Sequence, residues 1–198
     1  MRRRLTTVLG LVAAAPLLAA CGSQPTTQPT LAPSAAAPAP SDSAGPTFPA
    51  GTGKQLAKHK GAWDLVLRDV RVAEHDGFDR VVVEFAGTGT PGWGAEYVKT
   101  PRADGSGKVV DVRGDSFLAV SISGVIIRTS YPRTPADFFH GTRHFAPEGG
   151  GAIEDVNIGG VFEGYSQLFL GIDGDHVPFR VFALTNPARL VVDVKDSD

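Results

Sequence analysis

Between residues 61 and 196 the apolar side chains come in short β-branched and aromatic runs broken by Gly, Asp and Pro. None shows the three-to-four-residue spacing of an amphipathic helix. This pattern predicts strands over 65–72, 80–85, 95–99, 109–112, 117–123, 153–158, 166–172, 179–184 and 190–194. Many short strands with turn signals between them predict an all-β sandwich or barrel. The stretch is one domain's worth of sequence, long enough to bury roughly two thirds of its unfolded surface.

Residues 126–151 interrupt the rhythm. Pro132, Pro135, Pro147, Gly141 and the run Gly149-Gly150-Gly151 surround Tyr131, Phe138, Phe139 and Phe145. A loop this long is usually functional or mobile. Thr134 as cap, Pro135 at the first helical position and Asp137 in the first turn make a short helix from Thr134 plausible within it. The aromatics of this segment are expected to fold back on the sandwich as a lid, with ligand binding as the alternative.

An internal echo sets a register. Arg80-Val81-Val82-Val83-Glu84-Phe85 repeats as Arg189-Leu190-Val191-Val192-Asp193-Val194. Alternation turns Val81, Val83 and Phe85, and Leu190, Val192 and Val194, toward the core. The opposite faces carry Arg80, Val82 and Glu84, and Arg189, Val191 and Asp193. Were the two strands antiparallel neighbours, each arginine would meet the other strand's acid across the ladder. Such a pair, if exposed, carries small energetic weight, and a ligand-reading arginine is the alternative.

The N-terminus carries a different message. Arg2-Arg3-Arg4, an apolar stretch to Ala20 and Leu18-Ala19-Ala20-Cys21 read as a bacterial lipoprotein signal over residues 1–20, with Cys21 as the lipidated first residue. The apolar run is short for a permanent span. An ordinary secretory signal or a short membrane anchor is the alternative. Cys21 is the only cysteine, which leaves the rest of the chain without disulfide, thiolate nucleophile or cysteine metal site. Buried acyl methylenes contribute about 0.8 kcal/mol each, so two or three chains would hold the protein lastingly at an extracytoplasmic membrane surface.

Residues 22–50 are dominated by Pro, Ala, Thr and Ser and cannot bury a core. With Cys21 and the residues to about Lys60 they read as a tether, 21–60, whose prolines favour extended backbone. Its roughly 39 residues span about 35 Å as a flexible coil and about 120 Å as polyproline II. Reach into the cell wall and a plain exit spacer are both consistent with it. Removing residues 1–20 and their three arginines takes the formal charge from -2 to -5. A mildly acidic chain argues against nonspecific nucleic-acid binding and gives no polybasic aid at a membrane.

Phe78-Asp79-Arg80 leading into the valine run, and Asn186-Pro187-Ala188-Arg189-Leu190-Val191-Val192-Asp193 near the C-terminus, resemble an AMIN-like domain of bacterial lipoproteins. Asp104-Gly105-Ser106-Gly107, Phe162-Glu163-Gly164 and Pro178-Phe179-Arg180-Val181 add weaker matches, and the likeness covers about 65–194. Related AMIN modules accompany cell-wall amidases and pilus secretins. The resemblance implies a sandwich of two small sheets, a role in binding or localising at peptidoglycan, and no catalysis by the domain. The long central loop departs from the compact AMIN pattern.

Other chemistry is thinly supported. Gly114-Asp115-Ser116 with Asp173-Gly174-Asp175-His176 mimics a serine hydrolase signature, yet Phe117 to Ser123 reads as strand where such enzymes need a helix. His140 and His144 have a four-residue spacing but lack the remainder of a zinc motif. Asp173 and Asp175 lack the later ligands of a calcium loop and read as a turn with Gly174 at positive φ. Gly87-Thr88-Gly89 opens no helix that would receive a phosphate. No cofactor or metal is expected.

For a glycan or peptide ligand, Trp93 and Tyr97 are the first candidate contacts, an indole covering a sugar face and a phenol offering a polar tip. Tyr131, Arg133, Asp137 and Arg143 follow, since a guanidinium pairs with muropeptide carboxylates. Each also reads as core edge or solvated loop. The expectation is a lipid-anchored, noncatalytic envelope module that binds peptidoglycan. A protein–protein interaction module of an envelope complex is second and a serine hydrolase third.

Overall fold

The computed structural model describes residues 45–49, 51–127, 138–141, 143–147, 149 and 151–197. Cys21 and its signal, Tyr131, Arg133, Asp137 and the helix expected at Thr134 lie outside them. The described residues are all-β, with ten strands and no helix. The strands are β1 (Gln55–Ala57), β2 (Val66–His75), β3 (Phe78–Ala86), β4 (Gly92–Val98), β5 (Ser116–Ser123), β6 (His144–Phe145), β7 (Ile153–Phe162), β8 (Tyr165–Ile172), β9 (Phe179–Leu184) and β10 (Ala188–Lys195). They form a six-stranded sheet in the order β1-β4-β5-β8-β7-β6 and a four-stranded sheet in the order β2-β3-β10-β9, with every paired strand antiparallel.

Local turn chemistry makes the hairpins. Asp76-Gly77 joins β2 to β3, with Gly77 at φ +81°. Glu163-Gly164 joins β7 to β8 with both residues at positive φ, the requirement of a tight two-residue turn that matches strand twist. Gly174 likewise takes φ +74°, as the turn reading expects.

Alternation then builds one core. Val81, Val83, Phe85, Leu190, Val192 and Val194 of the smaller sheet meet Leu118, Val120, Ile122, Val156, Leu168 and Leu170 of the larger, all essentially inaccessible to solvent. The expected register between β3 and β10 is found, with Arg80 opposite Asp193 and Glu84 opposite Arg189.

The pair is not an exposed one. Arg80 and Asp193 have side-chain exposures of 5% and 0%. Val82 and Val191, on the same outer face, are buried too. The cause lies in a row across three strands, because Asp193 stands opposite Arg180 of β9 as well as Arg80. Phe78, Phe182 and residues 45–49 lie against that row, with Phe48 edge-on to Phe78 at 5.7 Å.

Two further elements differ from the sequence reading. Residues 109–112 form no strand; Val109 makes one isolated bridge to Arg102 and is 60% exposed. Both edges of β5, the strand that follows, are taken by β4 and β8, so the run cannot pair with its nearest neighbour in the chain. Residues 55–57, read from composition as tether, form β1 and pair with β4. The Gln55 side chain also reaches the other sheet, its Nε2 donating to Phe179 O at 2.6 Å and its Oε1 accepting from Val181 N at 3.2 Å. That amide satisfies main-chain groups along the free edge of β9.

Candidate functional site

The outer face of the six-stranded sheet is built for access. Along β5, Leu118, Val120 and Ile122 point into the core, so Ser121 and Ser123 point out. Gly94 stands opposite Ser121, and Leu56 opposite Gly94. Tyr165 stands opposite Ser123. The floor is therefore small and hydroxylated at its centre, with Tyr165 beside it.

A wall rises from residues 58–63. Lys60 exchanges two main-chain hydrogen bonds with Thr90, at 3.1 and 2.8 Å, and these tie the segment to the glycine-rich run before β4. Asp64 strengthens the tie by accepting from Gly89 N at 2.9 Å, Thr88 N at 3.0 Å and Thr88 Oγ1 at 2.8 Å. Burial opposes the Asp64 charge, but the N–H and O–H donors of Gly89 and Thr88, with His59 adding attraction, outweigh it and hold the carboxyl below its ordinary range. The glycines serve contact here. A Cβ on Gly89 would stand 2.1 Å from Ala62 O, and one on Gly92 2.2 Å from His59 N. The run that lacks a helix for phosphate is a bed for an aromatic segment.

On that bed the His59 ring lies 4.8 Å from Trp63, and Trp63 meets Tyr165 edge-to-face at 6.4 Å. The His59 imidazole is positioned by Ala62 O at 2.9 Å from Nε2. Trp63 is 48% exposed and Tyr165 42%, both large aromatics open to solvent. Between them and Leu56 runs a groove of about 460 Å³, floored by Gly94, Ser121 and Ser123 and edged by Lys58. Aromatic faces over hydroxyl donors can take a planar apolar sugar face and its hydroxyls together.

Of the sequence candidates among the described residues, Trp93 lines this groove while also packing against the core from β4, and the others lie elsewhere. Tyr97 closes the end of the sandwich: its hydroxyl donates to Val177 O at 2.9 Å and accepts from Val177 N at 3.2 Å. Its ring stacks on His176 at 4.0 Å and meets Phe179 edge-on at 5.7 Å. Burial pushes the Tyr97 phenol above its ordinary value, against the opposing hydrogen bond at Val177. Arg143 lies elsewhere, donating to Gly159 O at 2.8 Å and lying 5.8 Å over Phe139. Tyr131, Arg133 and Asp137 fall outside the described residues.

Sequence reading passed over Trp63, His59 and Tyr165. Trp63 sits between the tether read over 21–60 and the first predicted strand at 65–72, and its partner Tyr165 is remote in the chain. The available signal was an aromatic pair flanking glycine-rich turns.

The hydrolase signature does not assemble. Ser116 is the first residue of β5, with a buried Oγ that has no hydrogen-bond partner, while His176 is stacked on Tyr97. His144 Nε2 lies 2.7 Å from Asp155 Oδ2, a buried carboxylate that also accepts from Arg113 N at 2.8 Å. Among the described residues no group of three or more His, Cys, Asp or Glu side chains is arranged to hold a metal, and no helix is long and apolar enough to cross a membrane.

The architecture is a two-sheet antiparallel sandwich with an aromatic groove on one outer face. The AMIN-like domain family matches residues 65–196, and the chain belongs to that family. No curated protein matches the chain. The groove straddles the boundary of the family match: Ser121, Ser123 and Tyr165 lie within it, whereas Leu56, Lys58, His59 and Trp63 precede it.

Proposed function

We propose that this chain is a noncatalytic module of the bacterial cell envelope, held at a membrane by lipid on Cys21, and that it binds peptidoglycan through the outer face of its six-stranded sheet. Membership of the AMIN-like family supports the envelope role. The single observation that carries the binding site is the groove between Trp63, Tyr165 and Leu56 over the Ser121–Ser123 floor. Its chemistry suits the glycan strand: exposed aromatic faces to stack on sugar rings, and neutral hydroxyls to exchange hydrogen bonds with theirs. Pulldown of the full chain on purified peptidoglycan tests the reading. Trp63→Ala and Tyr165→Ala should each reduce retention, by roughly tenfold if either is an anchor of the interface. Retention unchanged in both variants would reject this groove as the site.

A protein partner is the second reading, favoured by an apolar groove on the other flank of the sandwich. Val66, Leu67, Ile126, Ile127, Phe138 and Phe139 line about 170 Å³ there, and Ile127 is 53% exposed. Failure of the full chain to bind peptidoglycan, with Ile127→Asp abolishing capture of an envelope protein, would move the assignment to that surface.

A further inference from the structure

The outer face of the four-stranded sheet holds a row of two cations and one anion. Asp193, fully buried, accepts from Arg80 Nε at 2.6 Å, from Arg80 Nη2 at 2.9 Å and from Arg180 Nε at 2.7 Å. Its two oxygens are thereby occupied by three donors. The second guanidinium is in excess over the carboxylate, and at 13% exposure it is too buried to be solvated freely. It requires an acceptor from elsewhere.

Residues 45–49 supply one. Arg180 Nη1 donates to Pro46 O. The same guanidinium lies 4.2 Å from the Phe48 ring centroid and 5.2 Å from that of Phe78, so it rests in the corner between an aromatic of the strap and one of the sheet. Phe48 completes the contact edge-on to Phe78. Gly45 fits because it has no side chain: a Cβ there would fall 2.5 Å from the Phe182 ring. Pro46 and Pro49 restrict the backbone to extended conformations, which lowers the entropy lost on docking. Fixed carboxylate, aimed guanidinium and two sheet aromatics together make a receptor for a carbonyl followed two residues later by an aromatic ring.

We propose that this face is a binding surface for extended proline- and phenylalanine-containing peptide, and that residues 45–49 of the chain occupy it as a resident strap. The surface is separate from the peptidoglycan groove, which lies on the other sheet. The strap fastens the C-terminal part of the tether to the domain and blocks the surface against peptide from another chain. Intramolecular occupancy of this kind acts like ligand at millimolar concentration, so free peptide competes poorly until the strap is released.

Fluorescence anisotropy with a labelled Gly-Pro-Thr-Phe-Pro-Ala peptide on the full chain tests the proposal. Phe48→Ala removes the strap's anchor without touching the sheet. It should bind the peptide about tenfold or more tightly than wild type, because the competing occupant is weakened. The same peptide with Ala in place of Phe should not bind. Adding Arg180→Lys to Phe48→Ala should abolish binding, since the ammonium cannot give Nε to Asp193 and a second planar donor to the peptide carbonyl. Thermal melts check that this double variant remains folded, and undiminished peptide binding by the folded double variant would overturn the proposal. Equal binding by wild type and Phe48→Ala, or none by Phe48→Ala, would overturn the proposal.

Discussion

Asp193 on β10 receives Arg80 of β3 bidentately, Nε on one carboxylate oxygen at 2.6 Å and Nη2 on the other at 2.9 Å, in a site where neither side chain meets solvent. Fork-on-carboxylate geometry makes this among the stronger hydrogen-bonded ion pairs. Its burial reverses the weight such a pair would have at a surface. Asp193→Ala takes the shared carboxylate from two buried guanidinium groups and should destabilise the domain by about 3–5 kcal/mol. Arg80→Ala leaves Arg180 on the carboxylate and should cost less, about 1.5–3 kcal/mol. Urea unfolding of both variants checks the order. Arg80→Ala within 1 kcal/mol of wild type would show that the pair behaves as an exposed one after all.

Val83 and Val192 lie on the same two strands, Val192 one row and Val83 three rows along from the Arg80–Asp193 pair, and both point to the opposite side, into the shared core at 0% exposure. An aspartate at either position would place a charge among the apolar side chains of the core, so Val83→Asp and Val192→Asp should each cost several kcal/mol or prevent folding. Circular dichroism melts distinguish the outcomes. Native melting in both would overturn the face assignment of β3 and β10.

Asp79 sets a pH dependence of the opposite kind to Asp64. It is buried, accepts from Ile153 N at 2.8 Å across the two sheets, and sits near the acids Asp196 and Glu74. Burial first, then those two charges, raise its carboxyl above the ordinary range despite the Ile153 hydrogen bond and attraction from His75. A raised folded-state value means that the folded protein binds a proton which the unfolded chain has already released. This contribution to stability is complete below the unfolded value near 3.9 and is lost as pH rises through the folded value. Asp79→Asn keeps an acceptor for Ile153 and removes the charge. It should therefore flatten this part of the profile and equal or exceed wild-type stability at pH 7. Denaturant midpoints at pH 4.5 and 7 measure it, and an Asn variant less stable at pH 7 than at pH 4.5 by the same margin as wild type would contradict the assignment.

What could be read in the sequence was local or repeated. The Arg-apolar-acid echo gave the β3–β10 register because alternation and cross-strand charge act on adjacent residues. β1 and β6 were illegible, since three and two residues carry no period and owe their pairing to strands distant in the chain. Val109 belongs to a run with strand propensity, yet strand formation needs an unpaired neighbour and β5 had none to offer. Burial of Arg80 was hidden for a related reason: it depends on Arg180 and Phe182 in a third strand and on Phe48 in a stretch whose composition reads as disordered. The groove escaped notice because Trp63 gains meaning only beside Tyr165.

The lipid anchor is open to a direct measurement. Cys21→Ser removes the only thiol in the chain, and with it the only group that can form a diacylglyceryl thioether. The variant should accumulate as unprocessed precursor and incorporate no labelled fatty acid. Normal cleavage with membrane retention would exclude lipidation at Cys21 and restore the ordinary signal or short membrane anchor as the better account.

Tyr97 and Trp63 separate a packing role from a ligand role. Tyr97→Phe deletes a hydroxyl that is bonded on both sides to the Val177 main chain, leaving a part-buried carbonyl and N–H to find water. It should lower stability by about 1–2 kcal/mol while peptidoglycan retention of the folded protein stays at the wild-type level. Trp63→Ala should do the reverse, because the indole lies half exposed on glycine-lined backbone and supports little of the core. Melting temperature and pulldown on the same preparations read both axes. Retention lost in Tyr97→Phe at unchanged stability would transfer the contact surface to the end of the sandwich closed by His176, and the groove of Trp63 and Tyr165 would then be a structural seam between the two ends of the domain.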